Sequence, residues 1–284
     1  MTLADVADLL ACPACAARDL VDRALLPEGE TVRCAEGHAY DVARQGHVNL
    51  LGRAVPRNAD GADMVAARER FLGSGAYDRV GAALADAARR ATDGTISPAV
   101  LDVGAGPGWY LDQVLAGLAD DGREGRGVAL DVSPVAARRA TRSRWRVGAV
   151  VADAWARLPV RTAAVEVALS VFAPRRPAEL ARVLTPGGTA LVVSPLPAHL
   201  AGLREAWGLL DVEPAKQERL ATTFGAHLSL VEEVDVRYVV ALDPGTVADL
   251  VAMGPNAFHD DGPSARAETP TDVEVAVRLS TWRR

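Results

Sequence analysis

The 284-residue chain carries a formal net charge of −6 and is 49% hydrophobic, enough apolar sequence for one large core with a small appendage. No apolar run is long enough to span a bilayer and no secretory leader pattern opens the chain, so a soluble, cytoplasmic protein without a membrane partner is expected. The acidic balance excludes a chain-wide attraction to nucleic acid and leaves any such surface local.

In chain order, chemistry begins with the cysteines. Cys12, Cys15 and Cys34 are followed by His38, a C-x2-C-x18-C-x3-H spacing. Zinc takes four thiolate or imidazole ligands in a tetrahedron, and two short turns deliver them in pairs. Pro13 and Gly37 suit those turns. Four protein ligands leave no open position, so the expected Zn2+ site is structural. A polar, turn-rich stretch over residues 53–63 marks a boundary. Residues 1–55 therefore read as a zinc-binding module and residues 56–95 as a helical connector, interrupted at Gly73-Ser74-Gly75. Residues 96–284 read as a larger α/β domain.

The larger domain opens with the apolar strand Val100–Val103, the glycine turn Gly104-Ala105-Gly106-Pro107-Gly108, and a segment of helical periodicity (Tyr110, Leu111, Val114, Leu115, Leu118). Strand, glycine turn and helix bring backbone N–H groups against a ligand. The next strand, Gly127–Leu130, ends in Asp131, a carboxylate placed to accept from both hydroxyls of a ribose. Acid-x-G-x-G-x-G with an acid ending the second strand resembles class I S-adenosylmethionine methyltransferases. That resemblance implies S-adenosylmethionine as cofactor, held by Asp102, Gly104, Gly106, Pro107, Gly108 and Asp131. Pro134 then opens a helix that ends among Arg138, Arg139, Arg142, Arg144 and Arg146, a cluster that is either a solvated helix face or a contact to RNA phosphate. A third strand (Ala149–Ala152) ends at Asp153, from which the superfamily often reads adenine. A fourth, Val165–Leu169, leads to Phe172-Ala173-Pro174, where Phe172 stacks on a target base or fills the core. A fifth strand (Thr189–Ser194), a helix over Val247–Met253 and late strands over 228–242 and 273–282 complete a Rossmann-like fold. Its sheet should be seven-stranded and mostly parallel, with the last strand antiparallel.

A narrower resemblance runs through the whole chain. After the zinc pattern come His38-Ala39-Tyr40-Asp41-Val42-Ala43-Arg44-Gln45-Gly46-His47-Val48-Asn49-Leu50-Leu51, then Asp60-Gly61-Ala62-Asp63-Met64-Val65-Ala66-Ala67-Arg68 with Arg70-Phe71-Leu72 and Gly75-Ala76-Tyr77. Phe172-Ala173-Pro174, Pro186-Gly187-Gly188 and Pro195, Pro197, His199-Leu200 follow in order. The chain resembles the RlmA-type guanine-N1 methyltransferases of 23S ribosomal RNA. The resemblance implies methylation of N1 of a guanine in a hairpin loop near the peptide exit tunnel, where tylosin-type macrolides bind, with drug resistance as one role. It implies an RNA hairpin as partner, with a homodimer as a second association to test, and makes the zinc module an RNA-recognition arm ahead of the methyltransferase domain. It also brings His47, Tyr77 and His199 beside the cofactor. The group that takes the guanine N1 proton is not named by the sequence; Asp60, Asp63, His47 and His199 are candidates by their place in the shared segments, with the two histidines favoured instead as cofactor neighbours. The alternative is a methyltransferase of a small molecule whose zinc module is structural only.

Overall fold

The computed structural model describes residues 3–20, 22–207, 216–254 and 270–284. Two 3-10 turns (Leu3–Asp5 and Ala7–Leu9) precede α1 (Pro13–Ala16), β1 (Leu26–Glu28), β2 (Thr31–Arg33), β3 (Ala39–Asp41) and the two-residue β4 (Val48–Asn49). Helices α2 (Ala62–Gly73) and α3 (Asp78–Ala91) follow, broken where the glycine-serine-glycine stretch predicts. The larger domain alternates β5 (Ala99–Val103), α4 (Trp109–Asp120), β6 (Arg126–Asp131), α5 (Pro134–Ala140), β7 (Arg146–Val151), β8 (Val165–Val171), α6 (Pro177–Val183) and β9 (Leu184–Pro195). It closes with α7 (Ala201–Trp207), α8 (Lys216–Gly225), β10 (Ser229–Leu242), α9 (Pro244–Ala252) and β11 (Thr271–Arg283).

Strands β1, β2 and β3 form a small antiparallel sheet, and the main sheet runs β10-β11-β9-β8-β5-β6-β7-β4. Only β11 runs against its neighbours. All five residues of β5 are buried, as a central parallel strand covered on both faces requires. Helix α5 starts where Ser133 accepts from the Ala136 N–H and Pro134 fixes the first turn; it ends at Ala140, before the last arginines of its cluster. Asp243 caps α9 by accepting from the N–H groups of Gly245 and Thr246.

The main sheet has eight strands among the described residues, one more than the seven expected. The eighth is β4, contributed by the segment that leaves the zinc site and paired in parallel with β7. One sheet face is covered by α3 and α4 and buries Val100, Ala129, Leu169 and Val193 with Leu84, Leu111 and Leu115. The other face buries Leu101, Val128, Leu130 and Val192 together with Leu3, Val6, Leu10, Leu25 and Cys15 from the N-terminal residues. The expected recognition arm is thus also a covering layer of the main sheet. Gly148 on β7 leaves the space that the Val6 side chain fills, since a Cβ there would lie 2.1 Å from Val6 Cγ2. Asp8 forms a two-pronged pair with Arg126 (2.7 and 2.9 Å), and the Arg161 N–H donates to the Leu9 carbonyl at 2.9 Å.

Candidate functional site

The zinc pattern closes in space. Sγ of Cys12, Cys15 and Cys34 and Nδ1 of His38 lie within 4.8 Å of one another. Three separations are 3.4 Å (Cys15–His38 and Cys34–His38) and 3.6 Å (Cys15–Cys34). Tetrahedral zinc with bonds of about 2.3 Å to sulfur and 2.0–2.1 Å to nitrogen puts its ligand atoms roughly 3.5–3.8 Å apart, so the donors fit the ion. Local turns set this geometry: the Ala16 N–H donates to the Cys12 carbonyl, and the Gly37 N–H to that of Cys34. The Tyr40 hydroxyl lies 3.3 Å from Cys12 Sγ, an outer contact of the kind that steadies a metal ligand.

A cavity of about 650 Å³ opens at the carboxyl ends of β5, β6, β8 and β9, where open α/β sheets bind ligands. Gly104, Gly106, Pro107, Asp131, Asp153, Tyr77, His199 and Asp60 all line it. Gly104 and Gly106 take φ of +74° and +54°, which L side chains rarely adopt, and a Cβ on Gly104 would fall 2.6 Å from Ala173 Cβ. Asp131 braces this turn: its Oδ2 accepts from the Gly106 N–H and its Oδ1 from that of Ser133, both at 2.8 Å. Burial raises the Asp131 carboxyl above its ordinary value, and the two backbone donors oppose that shift.

Behind the turn and outside the cavity lining, Asp102 is 1% exposed and its Oδ2 has no hydrogen-bond partner. Burial, reinforced by the Asp131 charge, pushes its carboxyl up to about 8. An orphaned buried carboxyl beside a glycine cradle suits a ligand carrying positive charge, which matches the sulfonium and ammonium of S-adenosylmethionine. Tyr77 and His199 form one unit in the same lining, with the tyrosine oxygen 3.1 Å from His199 Nε2. His199 Nδ1 accepts from the Ala276 N–H at 3.2 Å, so the neutral ring carries its proton on Nε2 and donates it to Tyr77. Burial, helped by Arg204, pushes His199 down to about 4.

Several expected residues lie elsewhere. His47 is not in the cavity lining; it sits before β4 near Arg138 of α5, with Nδ1 buried and unpartnered. Gly108 caps α4 outside the lining, at φ +89° and close to Ala140. Asp63 is exposed in the first turn of α2, whereas Asp60 reaches the cavity and pairs with Arg68. Within the arginine cluster, Arg139 and Arg146 pair with Glu69 and Asp5, while Arg138, Arg142 and Arg144 are exposed.

Sequence reasoning passed over Arg68, which spans the glycine turn: Arg68 Cδ lies 3.4 Å from where a Gly106 Cβ would stand, and its Nη2 donates to the Met253 carbonyl at 2.7 Å. It also passed over Arg53, which reaches from beyond β4 to pair with Asp153. Neither is marked by spacing; only the fold brings them to the cavity.

Comparison with known proteins agrees with this arrangement. Residues 10–52 match the family described as RlmA, N-terminal, a zinc ribbon, and residues 100–188 match a methyltransferase domain. A 23S rRNA (guanine(748)-N(1))-methyltransferase of Streptomyces fradiae is 44% identical over 97% of this chain and 96% of its own length. A Micromonospora griseorubida protein provisionally named a 23S rRNA (guanine-N(1)-)-methyltransferase is 41% identical over 98% of both chains. Among solved structures, the YcgJ protein of Bacillus subtilis is similar over 71% of this chain and 97% of its own, with 14% identity and a TM-score of 0.47. With a zinc ribbon, a methyltransferase domain and a relative matched from end to end, the chain belongs to the family of 23S ribosomal RNA guanine-N1 methyltransferases.

Proposed function

We propose that this protein methylates N1 of a guanine in a hairpin loop of 23S ribosomal RNA, with S-adenosylmethionine as donor. The observation that carries the reading is a single cavity lined from every part of the chain: Arg53 from beside the zinc module, Asp60 and Arg68 from the connector, and the glycine turn with Asp131 from the sheet. S-adenosylmethionine, when bound, supplies an electrophilic methyl on a sulfonium. The protein's share is then positioning and charge.

In this reading Asp131 accepts from the ribose hydroxyls while bracing Gly106. Gly104 and Gly106 let the ligand approach the backbone, and Asp102 offers its unpartnered carboxyl to positive charge. Asp153, fixed by Arg53 and by the Trp155 N–H at 2.8 Å, faces the adenine. Because His199 donates to Tyr77, the Tyr77 O–H is left to donate into the cavity. Phe172 is 38% exposed there, open to stacking on a base. Of the two candidate carboxylates Asp60 is the one that lines the cavity, and it is our proposed acceptor of the guanine N1 proton. The exposed Arg138, Arg142 and Arg144 offer phosphate contacts.

Among the described residues no helix is long and apolar enough to cross a membrane, and a cytoplasmic location belongs to the same proposal. So does a homodimer, supported by the exposed edge strand β10 with Leu230, Val231, Val234 and Val239 uncovered; sedimentation equilibrium checks it. Resistance to a tylosin-type macrolide is its expected phenotype. The test is mass mapping of 23S ribosomal RNA from cells with and without the protein. One guanine should lose its methyl when the protein is absent. Identical maps from both cells would overturn the reading in favour of a small-molecule substrate.

A further inference from the structure

The ion pair between Asp60 and Arg68 meets the cavity with hydrogen-bonding capacity to spare. Asp60 stands just ahead of α2 and Arg68 lies in its second turn. Both line the cavity, with side chains 20% and 25% exposed. The pair is held from three sides. The Asp60 carbonyl accepts from Ser133 Oγ at 2.6 Å, Arg68 Nη2 donates to the Met253 carbonyl at 2.7 Å, and Arg68 Cδ packs on the glycine turn at Gly106. Arg68 Nη1 donates to Asp60 Oδ2. Among the described residues, Asp60 Oδ1 and the remaining N–H groups of Arg68 make no hydrogen bond.

A carboxylate acceptor beside a guanidinium donor is the complement of one nucleobase edge. Guanine carries its N1–H donor next to its O6 acceptor, which matches Asp60 and Arg68 respectively. Adenine reverses both groups, since its N1 accepts and its N6 amino group donates. It would set acceptor on acceptor and donor on donor. The pair also meets the charge that the reaction makes. The N1 proton passes to Asp60 as the N1 electron pair bonds to the methyl carbon, and the electrons of the broken carbon–sulfur bond stay on sulfur. Negative charge shed from N1 onto O6 on the way is held by the Arg68 guanidinium.

We infer that the Asp60–Arg68 pair selects the target base as guanine, Asp60 taking the N1–H and Arg68 the O6. The inference rests on the ribosomal RNA reading above and on Asp60 as proton acceptor. The test uses the full-length, zinc-loaded protein with S-adenosylhomocysteine, which carries no methyl to transfer, so binding is read without reaction. Fluorescence anisotropy compares ribosomal RNA hairpins whose target guanine is kept, or replaced by inosine or 2-aminopurine. Inosine keeps O6 and N1–H and drops the 2-amino group; 2-aminopurine keeps the amino group and loses the other two. Wild type should bind the inosine hairpin within about twofold of the guanine one, and the 2-aminopurine hairpin about tenfold more weakly. Arg68→Met should cut that preference to about threefold or less and lower turnover on the guanine hairpin about a hundredfold. Its S-adenosylmethionine affinity, read by calorimetry, should stay within about twofold of wild type.

The wild-type comparison needs no variant to fold. Equal affinity for the inosine and 2-aminopurine hairpins, or a tenfold loss with inosine, overturns the assignment. Arg68→Met that keeps the full preference but loses S-adenosylmethionine affinity overturns it in favour of a cofactor contact. Wild-type protein that does not bind the guanine hairpin overturns the ribosomal RNA reading itself, and this assignment with it. Wild-type binding and methylation alongside an unaltered preference in Arg68→Met removes this assignment alone, leaving the pair a structural tie at the start of α2.

Discussion

Val48 pairs in parallel with Val150, and that one register makes the chain leaving the zinc site the edge of the catalytic sheet. The Leu50 N–H extends the ladder to the Val151 carbonyl at 2.9 Å. Zinc binding and sheet packing therefore stabilise the same core, since Cys12, Cys15 and Cys34 are buried in the cluster that holds Leu101 and Val128.

One zinc per chain is expected by elemental analysis, and Cys34→Ser should lose it. Because the module covers a sheet face, losing zinc should lower the melting point of the whole protein in a single transition. A loss of ~3 kcal/mol corresponds to roughly 6–12 °C for a domain of this size. Two separate transitions, the upper one unmoved, would mean that the module and the sheet fold independently.

Asp131→Ala should weaken S-adenosylmethionine binding by roughly 1–3 kcal/mol, because a charged acceptor for the ribose is lost from a buried site. The same change removes the acceptors that hold the Gly106 and Ser133 N–H groups, so the turn loosens as well. Calorimetry that returns the wild-type affinity would remove Asp131 from the site.

Asp102 links binding to protons. With its carboxyl pushed up to about 8, the free protein holds it largely protonated at pH 7. A cation brought beside it favours the ionised form, so S-adenosylmethionine binding should release protons near pH 7 and progressively fewer above pH 8. Calorimetry in buffers of different ionisation enthalpy reads this release directly. Asp102→Asn should abolish it, and equal apparent enthalpies in all buffers for the wild type would contradict the assignment.

His199 sets an acid limit. Its ordinary value is 6.5, and the folded protein lowers it to about 4 through burial and Arg204. The unfolded chain thus binds the extra proton first on acidification. The stability that His199 contributes is fully present above about pH 6.5 and lost as pH falls toward 4. Urea unfolding of wild type and His199→Leu should show a pH slope in that window for the wild type that is reduced in the variant. Parallel slopes would show that the Tyr77–His199 unit does not titrate as described.

Most of the catalytic sheet was legible because its strands are buried on both faces and read as unbroken apolar runs. The zinc ligands were legible because their spacing is local. Strand β4 was not: two residues carry no periodicity, and their pairing depends on β7 a hundred residues away. The same holds for Arg68 and Arg53, two among many arginines, whose roles appear only when the fold sets them against Gly106 and Asp153. The resemblance led His47 toward the cofactor, but the turn into β4 points it to α5 instead. The helix opened by Pro134 was read too long because Arg144 and Arg146 continue the charge pattern, although Arg146 already begins β7.

The central claim is methylation of guanine N1 in the RNA. It is tested most directly by incubating the zinc-loaded protein with S-adenosylmethionine and the hairpin transcript, then extending a primer across the loop. Methylation at N1 blocks Watson–Crick pairing, so extension should stop at a single guanine, and replacing that guanine should abolish methyl incorporation. Read-through by the polymerase, with the protein folded and S-adenosylmethionine bound, would contradict the account.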